Sequence, residues 1–386
     1  FFADVAADAF ALFAHADQPQ MLSIVESDIE NIRAAWRHLV AAKDGDGVLR
    51  MFPSVLVVYE VRGWLPAGHA LFTEAIDVFG EGIDEISVTT YAMLRSSRAV
   101  FSTLLGRPAE GATEAAEALN SVPESSDPIL RWIVLESYVQ SCMYLGNVDA
   151  VVAAIGERID EFDRLQDKLW VSGLKNYLAL AATMKGDFDT ANRLLEEAMA
   201  VYERIDEHYF MTWNLAIQAM IAMENDQPEQ ASALFTRQIR RSEALGYLPG
   251  LVVAFEGLGD ANAAAGRPGE SEDALVKAVS VAEQMGMIRE VLNLMTKVAR
   301  GRASTGLHAE AVEVLAAVCR HPMSEQQALT SDSPIRVAAA SILEEIRADI
   351  GTDAYESAYA RGEAESFDSV LNELLGRGSE SPRVPV

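Results

Sequence analysis

Six histidines, two cysteines and many carboxylates give this chain the raw material of catalysis, yet their spacing fits none of the familiar chemistries. A zinc-binding helix places two histidines one turn apart, and His15, His38, His69, His208, His308 and His321 contain no such pair. Adjacent acids such as Glu196-Glu197 and Glu344-Glu345 lie on helices where one partner faces solvent, which gives neither the raised pKa of a general acid. No Gly-Lys dipeptide occurs, so a phosphate-cradling Walker A loop is absent. Gly257-Leu258-Gly259 begins a dinucleotide fingerprint, but Asn262 stands where its third glycine belongs and no strand precedes it. Trp36, Trp64, Trp132, Trp170 and Trp213 read as core or hairpin-interface fillers rather than a ligand cage. The expectation is a non-enzyme with no catalytic residue, no metal ligand and no cofactor.

The elements that position these residues come from a repeat. Gly106, Gly146, Gly186, Gly266 and Gly306 fall forty residues apart on one lattice, with Asp226 in the remaining slot. Seven residues before each stand Ala99, Val139, Ala179, Ala219, Gly259 and Ala299; five after stand Gly111, Val151, Ala191, Ala231, Ser271 and Ala311. Nine after come Ala115, Ile155, Leu195, Phe235, Leu275 and Leu315. A period of this length marks a tandem array of one supersecondary unit. Around Gly186, Leu174, Tyr177, Leu178, Ala181 and Ala182 recur at helical spacing, Lys185-Gly186-Asp187 breaks the run, and Ala191, Leu194, Leu195, Ala198 and Tyr202 resume it. Each unit is therefore two antiparallel helices, with glycine closing the first and Asp or Asn free to cap the second. Small columns let the two backbones approach, and stacking buries the face that a single hairpin leaves wet.

The small-Gly-small triplet at Ala179, Gly186 and Ala191, or Gly259, Gly266 and Ser271, resembles the tetratricopeptide repeat over roughly residues 50 to 325. HEAT and armadillo units have lengths nearer forty, and the usual tetratricopeptide unit is ~34 residues; the triplet decides for the latter, with the extra residues expected in the second helix or the link. The implied fold is all-α, a right-handed α-solenoid of helical hairpins with ~40-residue units. Residues 1–45 read as an N-terminal helical cap, 46–325 as about seven hairpins, 326–376 as a C-terminal helical cap and 377–386 as a polar tail. Gly63 precedes Gly106 by 43 residues, an excess that fits an insertion at Gly80-Glu81-Gly82-Ile83-Asp84-Glu85.

Both ends carry a more specific likeness. Glu30-Asn31-Ile32-Arg33-Ala34-Ala35-Trp36, then Arg62-Gly63-Trp64-Leu65 and Leu71-Phe72-Thr73-Glu74-Ala75-Ile76, is similar to the opening of helical arms in bacterial STAND or NB-ARC signalling NTPases. Such arms occur in LuxR-like and antibiotic-regulatory transcription factors and in multidomain adenylate or guanylate cyclases. Tyr359-Ala360-Arg361-Gly362 with Phe367, Val370, Leu371 and Leu374 resembles their closing helix pair. The likeness implies an arm that regulates an upstream ATPase or effector, and the first residue, Phe1, reads as the continuation of such a neighbour.

Half the residues are apolar, and Cys142 and Cys319 lie in different repeats with no disulfide framework, so the expectation is a cytoplasmic protein. No apolar run approaches the ~18 residues of a membrane span. A net charge of −27 disfavours nucleic acid and anionic membranes and suits a basic peptide or protein face, or equally serves solubility alone. What remains is a concave groove lined by first helices, where the lattice places Glu136, Gln140, Asn176, Tyr177, Trp213, Glu256, Asp260, Asn293 and Arg300. These mixed polar and aromatic residues suit a protein, peptide or small effector. The function expected is a non-catalytic interaction or effector-sensing module; the alternative is an architectural array that oligomerises with its own copies.

Overall fold

The computed structural model describes residues 1–14, 17–80, 85–165, 168–325 and 334–377. Most of the proposed Gly80–Glu85 insertion, His15, residues 326–333 of the C-terminal cap and nearly all of the polar tail lie outside the described residues. Among the described residues the chain is all-α, with no β-strand.

Each lattice residue adopts the left-handed backbone that ends a helix: Gly63 (φ 64°), Gly106 (88°), Gly146 (69°), Gly186 (75°), Gly266 (74°) and Gly306 (88°), with Asp226 at 57°. These turns separate α4 (Gly45–Val61) from α5 (Leu65–Phe79), α6 (Glu85–Leu104) from α7 (Pro108–Ser121) and α8 (Pro128–Tyr144) from α9 (Val148–Gly156). They likewise separate α11 (Leu169–Met184) from α12 (Phe188–Ile205), α13 (Tyr209–Glu224) from α14 (Pro228–Leu245), α15 (Leu248–Ala264) from α16 (Pro268–Gln284) and α17 (Ile288–Ser304) from α18 (His308–Arg320). Asn147 and Asp187 cap α9 and α12 by accepting the amides of Ala150 and Thr190. Where arginine precedes the second helix, at Arg107 and Arg267, proline opens it instead.

A second lattice was hidden in the sequence. Asp206, Gly246 and Gly286, also forty apart, are left-handed too (φ 52°, 67° and 72°) and close the second helices. From Gly186 to Gly306 the chain therefore turns every twenty residues. The residues beyond the ~34 of a usual unit lengthen both helices, 16 to 18 residues each from α11 to α17, not the second helix or the link alone. The small columns are buried as packing requires: Ala99, Val139, Ala179, Ala219 and Ala299 expose no surface. A Cβ on Gly111 would lie 2.7 Å from the Ala99 carbonyl oxygen, so α6 and α7 meet at backbone contact. The third hairpin departs from the pattern. Gly156 occupies a position filled elsewhere by Glu196, Thr236, Val276 and Ala316, and the helix breaks there before resuming as α10 (Ile159–Asp163).

The chain forms two compact units, residues 1–225 with 237–250 and residues 226–236 with 251–386. In the first, α1 (Phe2–Ala14), α2 (Gln18–Ser27) and α3 (Ile29–Ala41) do not simply extend the row. Gln18 donates to Glu207 (2.7 Å) and accepts the amides of His208 (2.9 Å) and Tyr209 (3.0 Å), some 190 residues along the chain. Arg62, beside the first lattice glycine, donates to the carbonyls of Leu245 (2.6 Å) and Gly246 (3.0 Å). Unit 1 therefore closes on itself. The motif residues at its start are structural: Arg33 donates to the Tyr59 hydroxyl (2.7 Å) over the Trp64 ring, and Trp36 is buried edge-on against Phe72. In the second unit α19 (Ile335–Ile350), α20 (Thr352–Ala364) and α21 (Phe367–Leu374) follow the hairpins, and Gly362 brings α20 onto the backbone of Glu313 in α18.

Candidate functional site

The first helices of consecutive hairpins touch by a rule that the repeat imposes. At three of these contacts the residue nine before a lattice turn donates a side-chain hydrogen bond to the residue ten before the preceding turn. Ser137 gives it to the Ser96 carbonyl (2.9 Å), Tyr177 to the Glu136 carboxylate (2.5 Å) and Lys297 to the Glu256 carboxylate (2.6 Å). The geometry repeats while the chemistry changes.

In unit 1 the Glu136 position opens into an aromatic cleft. Two small adjoining pockets, open to solvent, share Glu136, Tyr209 and Phe210 as a common wall. Phe10 and Phe13 of α1, Glu60 of α4, Trp132 of α8 and Trp170 of α11 complete the larger one; Asn176, Tyr177 and Trp213 line the smaller. The rings hold one another: Trp132 lies 5.0 Å from Trp170 and 5.6 Å from Phe210, Phe13 lies 5.7 Å from Tyr209, and Trp132 donates to the Trp170 carbonyl (2.8 Å). Gly173 makes this possible, since a Cβ there would press on Trp132 and Phe210 at 3.0–3.1 Å. Edge-to-face rings at these separations form a stiff wall.

Two carboxylates face this wall. Glu60, 8 % exposed, accepts the Tyr209 hydroxyl (2.7 Å), and Glu136 accepts that of Tyr177. Each has that single donor, and no lysine, arginine or histidine among the described residues forms an ion pair with either. Burial pushes the Glu60 carboxyl up to about 7, with the Tyr209 hydrogen bond opposing the rise. Burial and then the negative charge of Glu60 push Glu136 up to about 8. The tyrosine hydroxyls are raised in turn, by burial and then by these acids. Glu207 shows what a structural buried carboxylate looks like here: it accepts the amides of Phe210 and Met211 at 2.9 Å each and the Gln18 amide, tying down the start of α13. Glu60 and Glu136 have no comparable set of donors.

The nine residues placed by the lattice divide between the units. Glu136, Asn176, Tyr177 and Trp213 come together in unit 1, where Trp213 donates to the Tyr247 hydroxyl (3.1 Å). Asn176 is buried, donating to the Phe210 carbonyl and accepting from Asn214 (3.0 Å each). Gln140 is buried one turn beyond Glu136, and its side-chain oxygen has no hydrogen-bond partner. In unit 2, Lys297 bridges Glu256 (2.6 Å) and Asp260 (2.7 Å), buried Asn293 donates to Glu290 (2.9 Å), and Arg300 is exposed. Burial and then Glu256 hold Glu290 up at about 7. Lattice reasoning did not single out Glu60, Phe10, Phe13, Tyr209 or Phe210. A signal for Glu60 existed: the residue three before the turn is Thr103, Met143, Thr183, Met223, Ala263 or Ala303 in the other hairpins, and here alone a charge.

Among the described residues no three His, Cys, Asp or Glu side chains converge as metal ligands, and no helix is long and apolar enough to cross a membrane. No protein-family model matches the chain, and no curated protein is similar to it. Solved structures are. The fold matches a Rap protein complexed with competence and sporulation factor at a TM-score of 0.55 and 11% identity, over 86% of this chain and 97% of that one. Aspartyl phosphate phosphatase F from Bacillus subtilis aligns over 100% of this chain and 97% of its own, at a TM-score of 0.44 and 11% identity. The first likeness establishes the class, an all-α protein of tetratricopeptide-like helical repeats.

Proposed function

We infer that this chain is a non-catalytic recognition module that binds a polypeptide through the aromatic cleft of unit 1 and regulates an effector according to whether the cleft is filled. The observation that carries the reading is a preformed aromatic cavity with two incompletely bonded carboxylates in its wall, the mixture of apolar walls and a few convergent polar groups that ligand sites use. Support also comes from the structurally similar Rap protein, which is complexed with competence and sporulation factor on the same class of fold. Acid–base catalysis by the pair is the weaker reading, because burial pushes both carboxylates upward together rather than apart into an acid and a base. An architectural array would have no use for such a cavity. On the likeness of the Glu30–Trp36 segment to STAND arms, the effector is an upstream ATPase coupled to a transcription regulator or a cyclase. Binding would act by favouring one arrangement of the arm over another.

Selection of random displayed peptides on the full chain tests this. Peptides are expected to enrich, and Trp213→Ala, which removes one wall of the cleft and the donor to Tyr247, should weaken them about tenfold without loss of helicity. Failure to enrich any peptide, or equal binding by the variant, refutes the reading.

A further inference from the structure

Resting on that reading, we propose that the pocket between Glu60 and Glu136 receives one basic side chain, the guanidinium of an arginine or the ammonium of a lysine on the bound polypeptide. The repeat contains its own control. At the equivalent contact in unit 2, Glu256 is met by Lys297, which also reaches Asp260, so the acid is neutralised from within the fold. At the same position in unit 1 the partner is Tyr177, a neutral donor that satisfies one lone pair of Glu136 and none of its charge. Glu60 stands in the same cavity, more than nine-tenths buried, with one oxygen bonded to Tyr209 and the other without a hydrogen bond among the described residues. A buried carboxylate in an apolar wall is costly unless a cation or several donors meet it. Glu60 is buried and Glu136 partly so, and the fold brings neither a cation nor a second donor to them, whereas it supplies the cation at Glu256 in unit 2 and the donors at Glu207.

The walls fit the same guest. Trp132, Trp170, Tyr209, Phe210, Phe10 and Phe13 present ring faces and edges around the two acids. Cations bind aromatic faces, and a guanidinium both stacks on rings and pairs with carboxylates. The chain's net charge of −27 draws a basic segment toward it. The groups facing the pair that could titrate are Tyr177 from α11, Tyr209 from α13 and Tyr247 from the α14–α15 connection, while α1 contributes phenylalanines. A cation then binds as the acids ionise and releases the protons they hold. Affinity should rise with pH from 6 to about 8.5 by up to tenfold for each proton released per pH unit, and level off above.

The test needs two small probes and the intact chain. N-acetyl-arginine amide and its neutral isostere N-acetyl-citrulline amide are titrated while the indole resonances of Trp132 and Trp170 are followed by NMR. The arginine probe should saturate at least tenfold more tightly, and increasingly so toward pH 8.5. Tyr177→Lys, which copies the Lys297–Glu256 contact into unit 1, should abolish that preference; Glu136→Gln, nearly isosteric, should do the same. Equal binding of the two probes, no saturation by arginine up to tens of millimolar, or an unchanged preference in Tyr177→Lys overturns the proposal. Its failure is separable from that of the reading beneath it. If selected peptides bind through Trp213 but lose nothing when their basic residues become citrulline or norleucine, the cation site falls and peptide recognition stands.

Discussion

Replacing both cleft acids by their amides, Glu60→Gln with Glu136→Gln, should make unit 1 more stable, increasingly so as pH rises from about 4.5 to about 8. Glutamine retains an oxygen for the Tyr209 and Tyr177 hydroxyls, so the substitution removes charge and little else. Burial, and for Glu136 also the charge of Glu60, raises the two carboxyls from 4.5 to about 7 and about 8. Well below pH 4.5, folded and unfolded chains both hold these protons and the acids cost nothing. As pH rises, the unfolded chain gives them up while the folded chain retains them, so wild-type stability falls until the folded carboxyls ionise near pH 7 to 8 and then levels. Each tenfold change in proton affinity is worth about 1.4 kcal/mol. Taken separately the two acids would account for about 3 and about 5 kcal/mol. The pair together should therefore account for several kcal/mol, on the order of the larger single contribution. The assay is urea unfolding at pH 5, 7 and 8.5, followed by tryptophan fluorescence. All five tryptophans, Trp36, Trp64, Trp132, Trp170 and Trp213, belong to unit 1, so the signal reports that unit. The variant should exceed wild type only modestly at pH 5, where the unfolded acids have begun to ionise, and by the full amount at pH 8.5. A gain of equal size at both pH values, or a loss at pH 8.5, would refute the electrostatic account of the cleft.

Two further substitutions test the scaffold. Asp226 holds the left-handed turn that glycine holds elsewhere in the lattice, so Asp226→Gly should stabilise the chain by up to about 1 kcal/mol, seen as a higher urea midpoint. A lower midpoint would mean that the aspartate side chain matters more than its backbone. Gly111→Ala puts a methyl 2.2 Å from the Thr103 hydroxyl oxygen and 2.7 Å from the Ala99 carbonyl, and should cost about 1–3 kcal/mol by forcing α6 from α7. An unchanged tryptophan unfolding curve would show that the two helices have room to shift.

The repeat was legible because the turns impose one requirement again and again. A left-handed residue at the end of each first helix demands glycine or a tolerant substitute, and the columns at −7, +5 and +9 record how closely the helices pack. The second lattice at Asp206, Gly246 and Gly286 carries the same signal but only three times, and it was submerged because the links on either side of α9 and α10 do not share it. The cleft was half legible. Glu136, Asn176, Tyr177 and Trp213 follow from helix offsets, since neighbouring first helices meet in fixed register. Phe10 and Phe13 do not, because α1 reaches the cleft by folding back across unit 1 through contacts nearly 190 residues apart in sequence. No local pattern encodes that return. Gln140, which its offset places in the groove, is buried in the structure.

In a tandem array a position is interpreted by its column, and departures from the column are where function can be sought. Lys297 on Glu256 is what the scaffold does when it needs an acid at that depth and nothing else. Tyr177 on Glu136 breaks the rule, and Glu60 breaks another in a column of Thr, Met and Ala. The two departures lie in different hairpins, α4 and α8, yet α1 and the rings of α8, α11 and α13 bring them into one cavity. Drift in a solvated column would scatter such exceptions over the surface. Here both exceptions are acids, both lack a cation and both face the same aromatic wall, and that combination carries a cost in stability, since burial penalises each charge. On the proposal that the pair receives a cation, the stability lost at high pH and the affinity gained for a basic guest should be two readings of the same two carboxylates. Glu60→Gln with Glu136→Gln should move both together. A variant that gained the stability and still preferred arginine over citrulline would separate them and show that the guest is held by the rings alone.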